Sequence, residues 1–171
     1  MSEPRVPAES IPTARLDLLP LRVEHAEEMA VVLADPALHT FIGGMPHSLG
    51  ELRARYERLV AGSPDPGVAW CNWVLRLRAE SCLVGTVQAT VTEDRSAEIA
   101  WVVGTPWQGR GFASEAARGL VAWLRRRSVR TVVAHIHPDH PASAAVAAAA
   151  GLAPTKEEQD GERRWRLVLH P

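Results

Sequence analysis

Residues 98–124, EIAWVVGTPWQGRGFASEAARGLVAWL, decide how this chain is read. The run 99–103 (IAWVV) is apolar and β-prone, and it stops at Gly104-Thr105-Pro106. A glycine-rich turn, Gln108-Gly109-Arg110-Gly111, follows. Then comes an amphipathic segment in which Phe112, Ala116, Leu120 and Trp123 recur at helical spacing, with Ala113, Ala117 and Leu124 beside them. Strand, glycine loop and helix start in direct succession form a candidate anion cradle. The first N–H groups of a helix have no partner within it and carry partial positive charge. Glycine lets a phosphate approach the loop backbone because no Cβ intervenes.

Upstream of this stretch, 70–78, 82–92 and 97–103 read as strands separated by polar turns at 79–81 and 93–96, which predicts an antiparallel meander. Downstream, 131–137 reads as a strand. A helix connects it to 97–103, so those two strands are expected to run parallel. His140-Pro141 opens an alanine-rich helix that ends with Gly151 at C′. Strands 153–157 and 163–169 flank the turn Gln159-Asp160-Gly161. Nearer the N-terminus, 14–21 reads as a strand and 23–34 as a helix, and Asp35-Pro36 starts a short second helix. Ser48 with Glu51 is a capping box for a further helix carrying Leu49, Leu52, Tyr56 and Leu59 on one side. The whole is a single α/β domain over 13–171 with a mixed sheet of about seven strands. Residues 1–12, punctuated by proline, are expected to be a disordered leader.

The chain has 171 residues, enough for one domain with a sizeable core. A formal net charge of -1 and the lack of an interleaved basic–aromatic stretch argue against nucleic acid as a partner. No apolar run approaches the ~18 residues of a membrane span, and the first residues lack the apolar core of a signal peptide, so no membrane partner is expected. Cys71 and Cys82 lie in apolar runs and read as reduced core thiols, which points to the cytoplasm.

At Gln108-Gly109-Arg110-Gly111-Phe112-Ala113 the sequence resembles the GNAT superfamily of N-acetyltransferases, whose Q/R-x-x-G-x-G/A motif it fits at every fixed position. Glu98 to Gly104 stands as the strand before the motif, and His137-Pro138-Asp139 with Ser143 follows the next strand. Gly151-Leu152 stands where the family usually has Gly-Phe. Phe41-Ile42-Gly43-Gly44 and the layout are most similar to the branch of ribosomal-protein N-terminal acetyltransferases (RimJ/RimL-like). The resemblance implies a GNAT-like fold, its central sheet mixed, mostly antiparallel, flanked by helices and splayed between its fourth and fifth strands (97–103 and 131–137). It implies acetyl-CoA as cosubstrate, no metal, and direct transfer of the acetyl group to a primary amine in a ternary complex.

By the same resemblance, Gln108, Gly109, Arg110, Gly111, Phe112, Ala113 and Ser114 would hold the pyrophosphate. The pantetheine arm would lie as a pseudo-strand beside Val102 and Val103, with His140, where the family typically has asparagine, and Ser143 near it. Glu98 would be the base that deprotonates the amine; the alternative is an ion pair with an arginine such as Arg95. An N–H near Val103 would polarise the thioester carbonyl. The family's usual tyrosine near Gly-Phe is missing, which leaves Ser143 or a water to protonate the thiolate. The alternative for Ser143 is a helix-start serine bonding backbone, and His140 equally reads as a cap. Phe41, His47, Trp70 and Asn72 would line the acceptor pocket, or else belong to the core. His135, His137 and His140 cluster in sequence, but their spacing is not that of a structural zinc site. The acceptor is a protein or peptide N-terminus, or a small-molecule amine such as an amino acid or antibiotic. A homodimer is left open. The rival reading, prompted by the missing tyrosine and asparagine, is a non-catalytic acyl-CoA-binding or interaction module.

Overall fold

The computed structural model describes residues 8–40 and 44–170. Its strands are β1 (Ile11–Pro12), β2 (Leu16–Pro20), β3 (Val68–Leu77), β4 (Cys82–Thr92), β5 (Ser96–Val103), β6 (Thr131–Ile136), β7 (Ala153–Gln159) and β8 (Glu162–Val168). They form one mixed sheet in the order β1-β2-β3-β4-β5-β6-β8-β7. Every pairing is antiparallel except β5 with β6. That exception follows from the helical crossover between them, α3 (Phe112–Arg126). The other α-helices are α1 (Ala26–Val32), α2 (Leu49–Ala61) and α4 (Pro141–Ala149). Ser48 and Glu51 make the reciprocal capping box at the start of α2. Asp160 and Gly161, both at positive φ, form the two-residue turn that joins β7 to β8.

The sheet has eight strands rather than seven because the chain is ordered before residue 13. Ile11 pairs with Leu18 in β1 and β2 and is only 4% exposed. The buried Trp73 indole N–H needs an acceptor and finds it in Glu9 O at 2.7 Å. The leader expectation therefore fails for residues 8–12: burial of Ile11 and this bond hold them on the domain.

One face of the sheet carries Cys71, Trp73, Leu75, Val87, Ala89, Ile99, Val132 and Ala134 and packs on the expected stripe of α3 and on Val146 and Ala147 of α4. Trp73 meets Trp123 edge-on, centroids 5.1 Å apart. On the other face, Val74 and Leu83 pack against Ala26, Met29 and Val32 of α1 and Leu52 and Tyr56 of α2. A bulge supplies both cores from adjacent residues. Leu75 pairs with Gly85 and Arg76 with Leu83, so the extra residue Val84 turns into the first core and Leu83 into the second. The rungs Trp70–Thr90–Glu98 and Asn72–Gln88–Ala100 lie past this second core, and Gln88, Glu98 and Ala100 are exposed. Cys71 is buried, which pushes its thiol up to about 11. Cys82, at the first position of β4, is only half-buried and is not the core residue expected. No helix among the described residues is long and apolar enough to cross a membrane.

Candidate active site

β5 and β6 pair only from Ser96–Thr131 to Glu98–Val133. Past Glu98 they part, and a cleft of about 1070 Å³ runs through the gap, lined by Glu98, Val102 and Val103 from β5 and by His135 and Ile136 from β6. Gly104 N–H donates to Val84 O at 2.8 Å. Backbone groups of an antiparallel strand point alternately to either side, so Val102 faces β4, while Trp101 and Val103 turn their N–H and C=O toward the gap. The expected pantetheine edge is thus Trp101 and Val103, with only the side chain of Val102 available. Val103 O accepts from Gln108 Nε2 at 3.0 Å. The first residue of the glycine motif therefore braces the end of β5 with its side chain. Gly85 stands opposite Val103. A Cβ there would lie 2.2 Å from Val102 O and 3.0 Å from Val103 Cα, so glycine is what lets the two strands approach at this point.

Gly109 (φ +78) and Gly111 (φ +82) take left-handed conformations that side chains disfavour. Gly111 is the N-cap of α3 and offers no side chain to cap it, so the first N–H groups of a fifteen-residue helix open into the cleft beside Gly109, Gly111, Phe112, Ala113 and Ser114. A Cβ at 109 would meet nothing within 4 Å, and one at 111 only Arg15 Nη2 at 3.4 Å. The cradle has room for a pyrophosphate and donors to hold it. Arg110 differs from expectation. Its side chain turns away from the cleft toward Glu80 (3.6 Å), into a separate hollow beside Arg15 and Arg78.

The loop is held from behind by two residues that sequence reasoning missed. Arg15 Nη1 donates to Arg110 O at 2.9 Å, Arg15 Nε to Glu115 Oε1 at 2.7 Å, and the guanidinium lies 4.4 Å over the Phe112 ring. Glu115 Oε2 accepts from Arg15 N at 2.7 Å and from the Thr13 hydroxyl. Glu115 is 8% exposed. Burial opposes its ionisation, but the bonds from Thr13 and Arg15 outweigh it and hold the carboxyl below the usual range. The one signal in the sequence was an acid in the first turn of α3, where the helix dipole favours it.

Glu98 projects from the open face of β5 with 56% of its side chain exposed. The arginine expected as its partner is not beside it; His135 is, with Nδ1 3.4 Å from Glu98 Oε1. Arg164 Nε donates to His135 Nε2 at 3.2 Å. A guanidinium is only ever a donor, so Nε2 holds no proton, and the neutral ring carries its proton on Nδ1, facing Glu98.

His140 is the N-cap of α4. Its Nδ1 accepts from Ser143 N at 3.3 Å, and its Nε2 is 3.2 Å from Ser143 Oγ. With Nδ1 accepting, the neutral ring has its proton on Nε2, directed at Ser143 Oγ, whose own proton is then available to a third group. Burial first, then the charge of His137, lowers the His140 pKa. Capping and contact with Ser143 coexist here. Both residues line the cleft.

Of the expected acceptor residues, His47 and Asn72 line the cleft. Trp70 shares a rung with Glu98 but is 37% exposed and outside the lining. Phe41 lies outside the described residues. Arg55, Tyr56, Gln88 and Trp107 also line the cleft and were not foreseen as site residues. No group of three or more His, Cys, Asp or Glu among the described residues is arranged to hold a metal ion.

Residues 15–153 match a family described as an acetyltransferase (GNAT) domain. Comparison with curated protein sequences gives no match. Among solved structures, the chain is similar to a RimL ribosomal L7/L12 alpha-N-protein acetyltransferase in complex with coenzyme A, with TM-score 0.79, 18% identity, and 94% of this chain and 98% of that chain covered. It is similar to a putative ribosomal-protein-serine acetyltransferase from Vibrio cholerae, with TM-score 0.75, 20% identity, and 94% and 97% covered. It is also similar to the microcin C7 self-immunity acetyltransferase MccE in complex with acetyl-CoA and AMP, with TM-score 0.76, 15% identity, and 91% and 93% covered.

Proposed function

The chain belongs to the GNAT acetyltransferase family, and on that premise we propose that it moves the acetyl group of acetyl-CoA directly to a primary amine within a ternary complex. The observation that carries this reading is one continuous cleft with an uncapped helix N-terminus at one end and a carboxylate at the other. The first N–H groups of α3 bind the pyrophosphate. The open β5 edge, at Trp101 and the Val103 N–H, takes the pantetheine amides as a neighbouring strand would. When bound, acetyl-CoA supplies an activated acyl group; the proton movements belong to the chain. Glu98 accepts a proton from the acceptor ammonium, directly or through the water its exposure admits. Ser143 Oγ gives a proton to the departing thiolate, and His140 Nε2–H stands behind it. The enzyme works in the cytoplasm, where free Cys71 and Cys82 stay reduced.

The test is thiol release from acetyl-CoA over a panel of amines and N-terminal peptides, with acetyl-CoA binding measured in parallel. Release with at least one acceptor, abolished in Glu98→Gln while binding persists, supports the assignment. Tight binding with no release for any acceptor returns the chain to an acyl-CoA-binding module.

A further inference from the structure

Tyr56 is 3% exposed, packed in the core shared by α1, α2, β3 and β4, yet among the described residues its hydroxyl has no hydrogen-bond partner. Leaving a buried hydroxyl unpaired is costly, and phenylalanine would fill the same core without that cost. Tyr56 also lines the cleft, so the missing partner has a place to come from. Burial pushes the phenol up to about 12, which keeps the proton on the oxygen and makes it a donor at neutral pH.

Arg55 precedes it on α2, is exposed, and is the only lysine or arginine among the described residues that line the cleft. Its charge reaches Tyr56, and no described carboxylate lies within ion-pair distance of it. Glu51, one turn earlier, is engaged with the Ser48 N–H at 2.8 Å. The α2 wall therefore carries an exposed guanidinium beside a buried phenol proton, neither with an acceptor among the described residues, while the sheet wall carries Glu98. A ligand that satisfies both walls carries an amine and an oxyanion in one small molecule. A peptide N-terminus offers the α2 wall only a neutral carbonyl in place of an oxyanion, because its first carboxyl is already an amide.

We infer that Arg55 and Tyr56 form a carboxylate subsite, so that the acceptor is an amino-acid-type small molecule whose carboxylate is bound on α2 while its amine faces Glu98. This inference rests on the acetyl-transfer reading and narrows its acceptor.

The full chain, with acetyl-CoA, is offered free amino acids, each matched with its own carboxamide. Thiol release is followed kinetically, and binding of the same pairs in the presence of coenzyme A is followed by calorimetry. The expected result is a free acid preferred over its amide by about tenfold or more in kcat/KM, the scale of a charge-assisted hydrogen bond. That ratio falls toward one in Tyr56→Phe and in Arg55→Gln. Tyr56→Phe is expected to fold at least as stably as the parent, which separates lost recognition from lost structure. Amides or N-terminal peptides used as well as free acids, or a ratio unchanged in both variants, overturns the subsite and leaves acetyl transfer standing. If no acceptor releases thiol, acetyl transfer fails, and calorimetry decides the subsite alone. Acid-selective binding lost in the variants upholds it, and equal or absent binding overturns it.

Discussion

Gly85→Ala puts a methyl group where the structure has backbone. The new Cβ would lie 2.2 Å from Val102 O and 3.0 Å from Val103 Cα, against 3.4 Å for ordinary contact, a deficit of 3.4 − 2.2 = 1.2 Å at the oxygen. Neither atom belongs to a flexible side chain, so the strands themselves must separate. Overpacking of this kind costs about 1–3 kcal/mol, and stretching the neighbouring Gly104 N–H to Val84 O bond adds about 0.5–1.5 kcal/mol. The sum, about 1.5–4.5 kcal/mol, lowers Tm by about 3–18 °C for a domain of this size. The displacement has a direction. β5 moves away from β4 into the gap before β6, where Trp101 and Val103 present their backbone, so acetyl-CoA binding should weaken about tenfold or more. Gly50→Ala is the control: it lies in α2, has nothing within 4 Å of its Cβ position, and should gain about 0.4–1 kcal/mol. Urea unfolding and calorimetry with acetyl-CoA read both quantities. A Gly85→Ala protein with unchanged Tm and unchanged acetyl-CoA affinity would refute the claim that this glycine sets the separation of β5 from β4.

Glu98→Gln should lower kcat by about 10²–10⁴ near neutral pH with acetyl-CoA affinity retained; undiminished turnover removes Glu98 from the role of base. Glu115→Gln should cost about 1–3 kcal/mol, kept modest because the Arg15 side chain is 47% exposed. The folded Glu115 carboxyl is held low, so its contribution is complete above the unfolded carboxylate range and disappears as pH falls through the lowered value. The gap between parent and variant in urea unfolding should therefore be full at pH 7 and shrink steadily as pH is lowered below the usual carboxylate range, and a gap that does not change with pH would contradict the assignment. Burial first, then the charge of His137, lowers the His140 pKa, so as pH falls below about 6.5 the unfolded ring takes up a proton that the folded ring resists, and the parent should lose stability until the folded ring protonates as well. His140→Asn, which cannot titrate, should show a smaller loss between pH 7.5 and 5; an identical loss assigns the effect elsewhere.

Most of the fold was legible because it depends on neighbours in the chain. Short polar turns dictated the β3–β5 meander, and a helical crossover dictated the parallel step from β5 to β6. Two residues of β1 carry no period of their own. Ile11 becomes a core residue only through Leu18 beside it and α3 above it, and no local pattern announces that. Cys82 shows the converse: an apolar run suggested burial, but its position as the first residue of β4 leaves it half-covered.

The site divides along the same line. The glycine loop proposed to cradle the pyrophosphate is a local object, made of two left-handed glycines and the helix they open, so six consecutive residues are enough to point to it. What holds the cradle is not local. Arg15 and Glu115 are separated by 100 positions, and their tie to Arg110 O exists only once the sheet edge is laid across α3. Glu98 could be named from its strand position, but its neighbour could not. Arg95 was nearer in sequence, yet it sits at φ +62 in the turn, with its carbonyl receiving Arg130 and Thr131, while His135 arrives from the adjoining strand. Tyr56 shows why the proposed acceptor subsite is not legible in the sequence. Helical spacing reports where its ring goes, and the ring does go into the core; the same spacing is silent about the oxygen at its tip. An apolar stripe thus conceals a polar demand. Only the lack of a partner for that oxygen among the described residues, beside an Arg55 with no described carboxylate in reach, makes a core tyrosine a candidate for contact with what the cleft receives.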